Sequence, residues 1–252
     1  MSRRRAWLVS RDARVQNRPM TTSAASLPLL DAIERATGPD PAWSVIWLHG
    51  LGDSGDGFAP IVPALIHGRD WPAVRFVFPH APVRPITING GMAMRAWYDI
   101  SDLDFDPTRR GDEDGVEVSI AQVEALIARE QARGVPASRI VLAGFSQGGA
   151  ITLAAGLRRE APLAGLLALS TYLPSPQSAE AVLAAGATRQ PVFMAHGLYD
   201  PVIAYRYGEG SAAVLKRLGF AVAWHPYPIQ HSVSDPEIRD IGDWLGTVFA
   251  AG

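Results

Sequence analysis

The 252-residue chain has no cysteine. Disulfides, a thiol nucleophile and thiolate metal sites are therefore excluded, while the redox compartment stays open. Neither sign of charge is in excess. With 23 Lys and Arg against 25 Asp and Glu, the formal net charge is -2 and the pI is near 6.3, so nothing electrostatic favours nucleic acid or an anionic membrane surface. Long apolar runs are missing too: none approaches the roughly 20 residues of a membrane-spanning helix. The six histidines are spread without an H-E-x-x-H or other ligand-spaced cluster, and no metal or other cofactor is expected. Internal repeats and low-complexity tracts are absent as well.

Apolar residues, at 48% of the chain, are plentiful enough to fill a complete core at a length that suits one domain. Residues 1–19 are different: they carry Arg3, Arg4, Arg5, Arg11 and Arg14, and their only apolar run, at 6–9, is too short for the core of a secretory signal. They are expected to form a disordered or non-native extension, with the folded domain at 20–252 and a cytoplasmic location.

Branched apolar runs at 44–48, 74–78, 139–143, 163–169, 192–195 and 221–227 alternate with helical patterns at 116–133, 147–159, 208–218 and 235–249. This alternation predicts an α/β fold, a mostly parallel sheet with helices on both faces. Asp235 is expected to cap the last helix, with Pro236 at its first helical position. Residues 79–108 fit neither period and are read as a long ordered loop, of the kind that usually carries function.

Between the run at 139–143 and the helical pattern that follows lies Gly144-Phe145-Ser146-Gln147-Gly148. A G-x-S-x-G between strand and helix is a nucleophile elbow: the serine sits on a strained turn, and glycines are needed where side chains would strike neighbouring backbone. A serine nucleophile needs a base, and the base needs an orienting acid. In an open parallel sheet these groups belong at the carboxyl ends of strands. His49, His80, His196 and His231 follow or end predicted strands, whereas His225 lies inside one and His67 in a helical or loop segment, where structural roles are expected. Only His231 also fits the chain order serine, acid, histidine. Asp200, in a loop right after a strand, is the favoured acid; Glu160, Glu180 and Glu209 fall on helices or away from strand ends. Oxyanion donors are expected from the backbone N–H of Gln147 and from the glycine loop His49-Gly50-Leu51-Gly52-Asp53.

Six ordered motifs carry a resemblance that runs from about residue 43 to the end. They are Leu48-His49-Gly50-Leu51-Gly52-Asp53-Ser54-Gly55, Pro79-His80-Ala81-Pro82-Val83-Arg84-Pro85, Trp97-Tyr98-Asp99-Ile100, Gly144-Phe145-Ser146-Gln147-Gly148-Gly149, His196-Gly197 with Asp200-Pro201-Val202-Ile203, and His231-Ser232. Together they resemble the acyl-protein thioesterase and phospholipase/carboxylesterase group of α/β-hydrolases. The resemblance implies an α/β-hydrolase fold with Ser146 as nucleophile, Asp200 as orienting acid and His231 as base, and with Leu51 and Gln147 N–H groups as the oxyanion hole. It also implies an apolar acyl channel formed by Ile86, Ile88, Met92 and Met94, with Trp97 as a further substrate-binding residue; ordinary packing of that segment onto the sheet is the alternative. Two departures stand out. The arginine-rich extension has no counterpart in the family core, and no N-terminal cysteine is available for the lipid anchor some eukaryotic members use.

The expected function is hydrolysis of carboxylic esters or thioesters through an acyl-enzyme, in a carboxylesterase of broad specificity. Small-molecule or acylated substrates are the expected partners, and a homodimer is compatible with the sequence. An acyl-protein thioesterase or a lysophospholipase would use the same triad. From a different class, a binding protein that keeps the scaffold without turnover is the rival reading.

Overall fold

The structure is a computed structural model that describes residues 28–102 and 111–252. The extension expected at 1–19 lies outside the described residues, as does the end of the 79–108 segment, from 103 onward. In chain order the strands are β1 (Ala32–Ala36), β2 (Trp43–Leu48), β3 (Val74–Pro79), β4 (Val83–Ile86), β5 (Met92–Arg95), β6 (Ile140–Phe145), β7 (Gly165–Leu169), β8 (Val192–Gly197) and β9 (Val222–Tyr227). The helices are α1 (Gly55–Phe58), α2 (Val62–Ile66), α3 (Glu113–Ala132), α4 (Gln147–Leu157), α5 (Tyr205–Arg217) and α6 (Asp235–Ala251).

Seven strands form one sheet in the order β1-β3-β2-β6-β7-β8-β9, parallel throughout except where β1 runs antiparallel to β3. Successive strand residues alternate between two apolar layers. Ile46, Leu48, Leu142, Leu166 and Met194 face the layer that includes Ile120, Leu126 and Leu153, whereas Val45, Trp47, Val141, Leu167 and Phe193 face the one that includes Leu65, Ile241 and Leu245. Apolar residues on both faces explain why these strands read as unbroken apolar runs. Each large side chain so buried contributes about 1.5–3 kcal/mol.

All six expected strands are present, and two features were not read from the sequence. β1, Ala-Ile-Glu-Arg-Ala, has no strand alternation, because it is a half-exposed edge whose charges face solvent. The segment read as a loop after residue 79 contains the antiparallel hairpin β4–β5, paired from Val83↔Arg95 to Ile86↔Met92. Its strands have four residues each and include Pro85, too short and irregular for a period to register.

α6 begins one residue earlier than expected. Ser234 is the N-cap and forms a capping box with Glu237, accepting from the Glu237 N–H while Glu237 Oε2 accepts from the Ser234 N–H. Glu237 is buried, and its Oε1 has no hydrogen-bond partner among the described residues. Burial first, and the neighbouring Asp240 carboxylate second, push its pKa up to about 7. The folded protein therefore holds a proton that the unfolded chain gives up at its ordinary, lower pKa. The associated stability is fully present below the unfolded pKa and is lost as the pH rises through about 7. Glu237→Gln keeps an acceptor for Ser234 without the charge. Denaturant titrations should find the variant more stable than wild type at pH 8, by roughly 2–3 kcal/mol, with that gain absent at pH 4. An equal difference at both pH values would contradict the buried-carboxyl account.

Candidate active site

β2 and β6 are adjacent and parallel, with Leu48 opposite Gly144, so the segments leaving their carboxyl ends lie side by side. The chain builds β3 on one side of β2 and β6 on the other, which makes this the switch point where an open α/β sheet forms its crevice. The segment after β2 is the glycine loop, and the one after β6 is the serine turn.

Ser146 has φ 54° and ψ -121°, a conformation that non-glycine residues avoid. The turn survives because its surroundings over-determine it. Ser146 N–H donates to Leu169 O (2.9 Å), and Ser146 O accepts from Ala150 N–H (3.1 Å) and Thr171 Oγ1 (2.7 Å). Both flanking glycines are sterically required. A Cβ on Gly144 would overlap the backbone of Gly148, and a Cβ on Gly148 would stand 2.5 Å from Leu48 O and 2.6 Å from His49 O.

His231 Nε2 lies 3.0 Å from Ser146 Oγ, and its Nδ1 lies 2.7 Å from Asp200 Oδ2. An ionised Asp200 can only accept, so Nδ1 carries the proton and Nε2 is the nitrogen that accepts the hydrogen bond from the Ser146 hydroxyl. Phe145, beside the serine, packs its ring against the imidazole at 4.8 Å between centroids. Asp200 is buried, and its Oδ1 accepts from the N–H groups of Val202 (2.8 Å) and Ile203 (2.9 Å). Burial alone would raise its pKa; the hydrogen bonds from His196, His231 and the Ile203 N–H outweigh burial and hold the carboxyl well below the usual carboxylate range. It therefore stays ionised wherever a histidine base can work.

Among the described residues, none of the other strand-end histidines hydrogen-bonds Ser146. His196 is buried with Nε2 2.8 Å from Ile203 O and 3.4 Å from Asp200 Oδ2, which supports the acid from behind. His80 Nδ1 accepts from Gly55 N–H. His225 stacks on Phe193 at 4.5 Å, and His67 is exposed at the end of α2.

The amide of Gln147 is the first N–H of α4, which has no side-chain N-cap and by helix geometry no intrahelical acceptor there. For Leu51 N–H no intramolecular acceptor is found among the described residues. A Cβ on Gly50, the residue before Leu51, would lie 3.4 Å from Ser146 Cβ, so the glycine loop runs directly beside Ser146.

The hairpin reaches this loop. Arg84↔Met94 and Ile86↔Met92 are cross-strand partners, so Ile86, Met92 and Met94 share one face. Met94 Sδ stands 3.7 Å from the Cβ position on Gly52, Met92 is exposed, Ile88 is half-buried and Ile86 is fully buried. Trp97 is also fully buried, and the sequence did not show that its indole N–H donates to His49 O (2.9 Å). The Gln147 side chain clamps the same segment, accepting from Trp97 N–H (2.8 Å) and donating to Tyr98 O (2.7 Å). Neither bond has a local sequence signal, because the partners are about 50 residues apart.

Away from the serine, a cavity of about 1140 Å³ lies among α3, α4, α5 and the segment after β7, lined by residues such as Ile100, Leu157, Tyr172 and Val214. Ser146, Asp200 and His231 do not line it. Ser146, His231 and Asp200 converge instead at the strand-end crevice. Among the described residues no group of histidines and carboxylates could hold a metal ion, and no helix is long and apolar enough to cross a membrane.

Comparison with known proteins identifies the family of the chain. Residues 32–249 match the phospholipase/carboxylesterase family model. The chain is 42% identical to acyl-protein thioesterase 1 of Neurospora crassa over 233 residues, covering 90% of this chain and 93% of that protein. It is 39% identical to acyl-protein thioesterase 1 of Cryptococcus neoformans over 217 residues, covering 80% and 90%. The crystal structure of Arabidopsis thaliana SOBER1 superposes with a TM-score of 0.76 at 31% identity, covering 82% of this chain and 98% of that one. With nearly the whole described fold matched, the chain belongs to the phospholipase/carboxylesterase family of α/β-hydrolases.

Proposed function

We propose that this protein is a serine hydrolase that cleaves carboxylic esters or thioesters through an acyl-enzyme, with Ser146 as nucleophile, His231 as general base and Asp200 as orienting acid. The observation that carries the reading is the continuous line from Ser146 Oγ to His231 to Asp200, at 3.0 and 2.7 Å, ending on a serine held in a strained turn.

The chemistry follows from those contacts. His231 Nε2 takes the Ser146 proton as Oγ bonds to the substrate carbonyl carbon, and the imidazolium formed is stabilised by Asp200. The carbonyl oxygen becomes an oxyanion received by the N–H groups of Leu51 and Gln147, a contribution of several kcal/mol where such donors are preorganised. Collapse expels the alcohol or thiol, which takes the proton back from His231 and leaves Ser146 acylated. Water then attacks the acyl-enzyme, giving its proton to His231, and a second collapse frees the acid and restores Ser146.

For the substrate, we favour a carboxylesterase of broad specificity, with acylated proteins as the second reading, supported by the thioesterase relatives. The face bearing Ile86, Met92 and Met94, with Ile88 beside it, is proposed to receive the acyl chain. Met94 is the member set against the glycine loop, and flexible thioethers suit chains of varied shape. Trp97 serves this region as a buried brace.

A fluorophosphonate probe should label the wild-type serine and spare Ser146→Ala; an unlabelled wild type would favour a binding protein without turnover. In a panel of ester and thioester substrates, turnover should extend to acyl chains longer than butyryl. Activity confined to acetyl and butyryl groups would remove the hairpin from substrate binding.

A further inference from the structure

His49 is fully buried beside the glycine loop, and the reaction as derived makes no use of it. Its tautomer is set by its neighbours. Ala81 N–H donates to Nε2 (3.0 Å), so Nε2 is the unprotonated nitrogen and the hydrogen sits on Nδ1. Nδ1 faces Gly50 O at 2.7 Å and donates to it. Burial, the largest influence on this ring, holds its pKa below the ordinary histidine value, in keeping with a neutral imidazole that uses one nitrogen to accept and the other to donate.

The bond to Gly50 O matters because of what shares that peptide. The carbonyl of Gly50 and the N–H of Leu51 belong to one planar trans unit and point in opposite directions. Anchoring the carbonyl toward the His49 ring turns the Leu51 N–H away from it, on a loop whose Gly50 abuts Ser146. Glycine at position 50 leaves this peptide free to rotate, so something must choose its orientation. Asp53 N–H also reaches Gly50 O, at a longer 3.3 Å, closing a turn. The ring itself is held in place: Trp97 packs against it at 5.5 Å between centroids, and its indole N–H fixes the His49 carbonyl.

We infer that His49 is a positioning residue for the oxyanion hole: its Nδ1–H fixes the Gly50–Leu51 peptide so that the Leu51 N–H points at the developing oxyanion. The inference rests on the proposed hydrolase reading.

Two substitutions separate the functions of the two ring nitrogens. In His49→Asn the side-chain amide stands where Nδ1 stood and can still donate to Gly50 O, but nothing accepts from Ala81 N–H. In His49→Gln the longer side chain supplies an acceptor near the Nε2 position and loses the donor to Gly50. Removing an oxyanion donor costs about 10²- to 10³-fold in kcat. With the turn at residues 50–53 still present, His49→Gln should lose about 30- to 100-fold in kcat, with KM nearly unchanged. His49→Asn should stay within a fewfold of wild type in kcat, even if its melting temperature falls further than that of His49→Gln.

A second readout is affinity for a trifluoromethyl ketone of the same acyl chain. Ser146 Oγ adds to its carbonyl carbon and passes its proton to His231, leaving a tetrahedral oxyanion in the hole. His49→Gln should weaken this inhibitor in proportion to its loss of kcat, while the non-fluorinated ketone binds as before. Wild-type kcat in His49→Gln, an equal loss in both variants, or unchanged trifluoromethyl ketone affinity in His49→Gln would each overturn the role given to His49. Because an inactive wild type, or an active Ser146→Ala, would instead remove the hydrolase reading itself, the two failures are distinguishable.

Discussion

Ser146→Ala is expected to lower kcat by about 10⁶-fold, and Ser146→Gly to do the same while raising stability by about 1 kcal/mol, a melting-temperature gain of about 2–4 °C. Both variants remove Oγ, the atom proposed to bond to the substrate, so on that reading neither can form an acyl-enzyme. They differ in the backbone. At φ 54° and ψ -121° alanine keeps the Cβ that makes the turn unfavourable, whereas glycine occupies such conformations readily. Against this gain stands the greater freedom of glycine in the unfolded chain, about 1 kcal/mol in ordinary positions, which is why the net gain is modest. Activity assays with calorimetry on the three proteins would check both parts. A glycine variant that melts with or below the alanine variant would mean that the elbow stores no strain. Residual hydrolysis near wild type in either variant would mean that another group is the nucleophile.

Asp200→Asn should cost about 10⁴-fold in kcat with little loss of stability. The reason is more specific than the loss of a charge. Asp200 Oδ1 accepts two backbone N–H groups, from Val202 and Ile203, so asparagine must place its carbonyl oxygen there and turn its NH2 group toward His231. An NH2 in that position donates to Nδ1, which forces the imidazole hydrogen onto Nε2. The nitrogen facing Ser146 Oγ can then no longer take the serine proton. Steady-state kinetics across pH, with circular dichroism to verify the fold, tests this directly, and a loss of less than tenfold would show that Asp200 does not select the tautomer of His231. Asp200→Ala leaves His231 without a partner but with its tautomer free. It should therefore retain at least as much activity as the asparagine variant, an ordering that simple charge removal would not produce.

The positions of Ser146, Asp200 and His231 were legible because each is tied to local pattern. Ser146 lies between a branched apolar strand and a helix with glycines two residues to either side; Asp200 follows the run that became β8, and His231 the one that became β9. Strand ends are readable from composition, and a parallel sheet gathers its carboxyl ends on one edge. The capping box at Ser234 and Glu237 was also present as a local pattern, yet Asp235 competed for the same cap. The hairpin was not legible, since strands of four residues that include Pro85 show no usable period. β1 was hidden for another reason: an edge strand with polar residues pairs through its backbone, and backbone pairing leaves no mark on side-chain composition.

By itself, then, the sequence determined the alternation of strands and helices, the chain order of serine, acid and histidine, and the glycines that the turn at Ser146 requires, because all of these depend on neighbours in the chain. Only the tertiary structure decided how the site is held. Gln147 clamps Trp97 and Tyr98, Trp97 pins His49, His196 backs Asp200, and His49 holds the Gly50 carbonyl while accepting from Ala81. Apart from the short-range contacts of His196 and His49–Gly50, these bonds join residues some 30 to 50 positions apart. Their existence depends on how the packed sheet brings its loops together, and a hydrogen bond between distant loops has no counterpart in the spacing of residues along a chain.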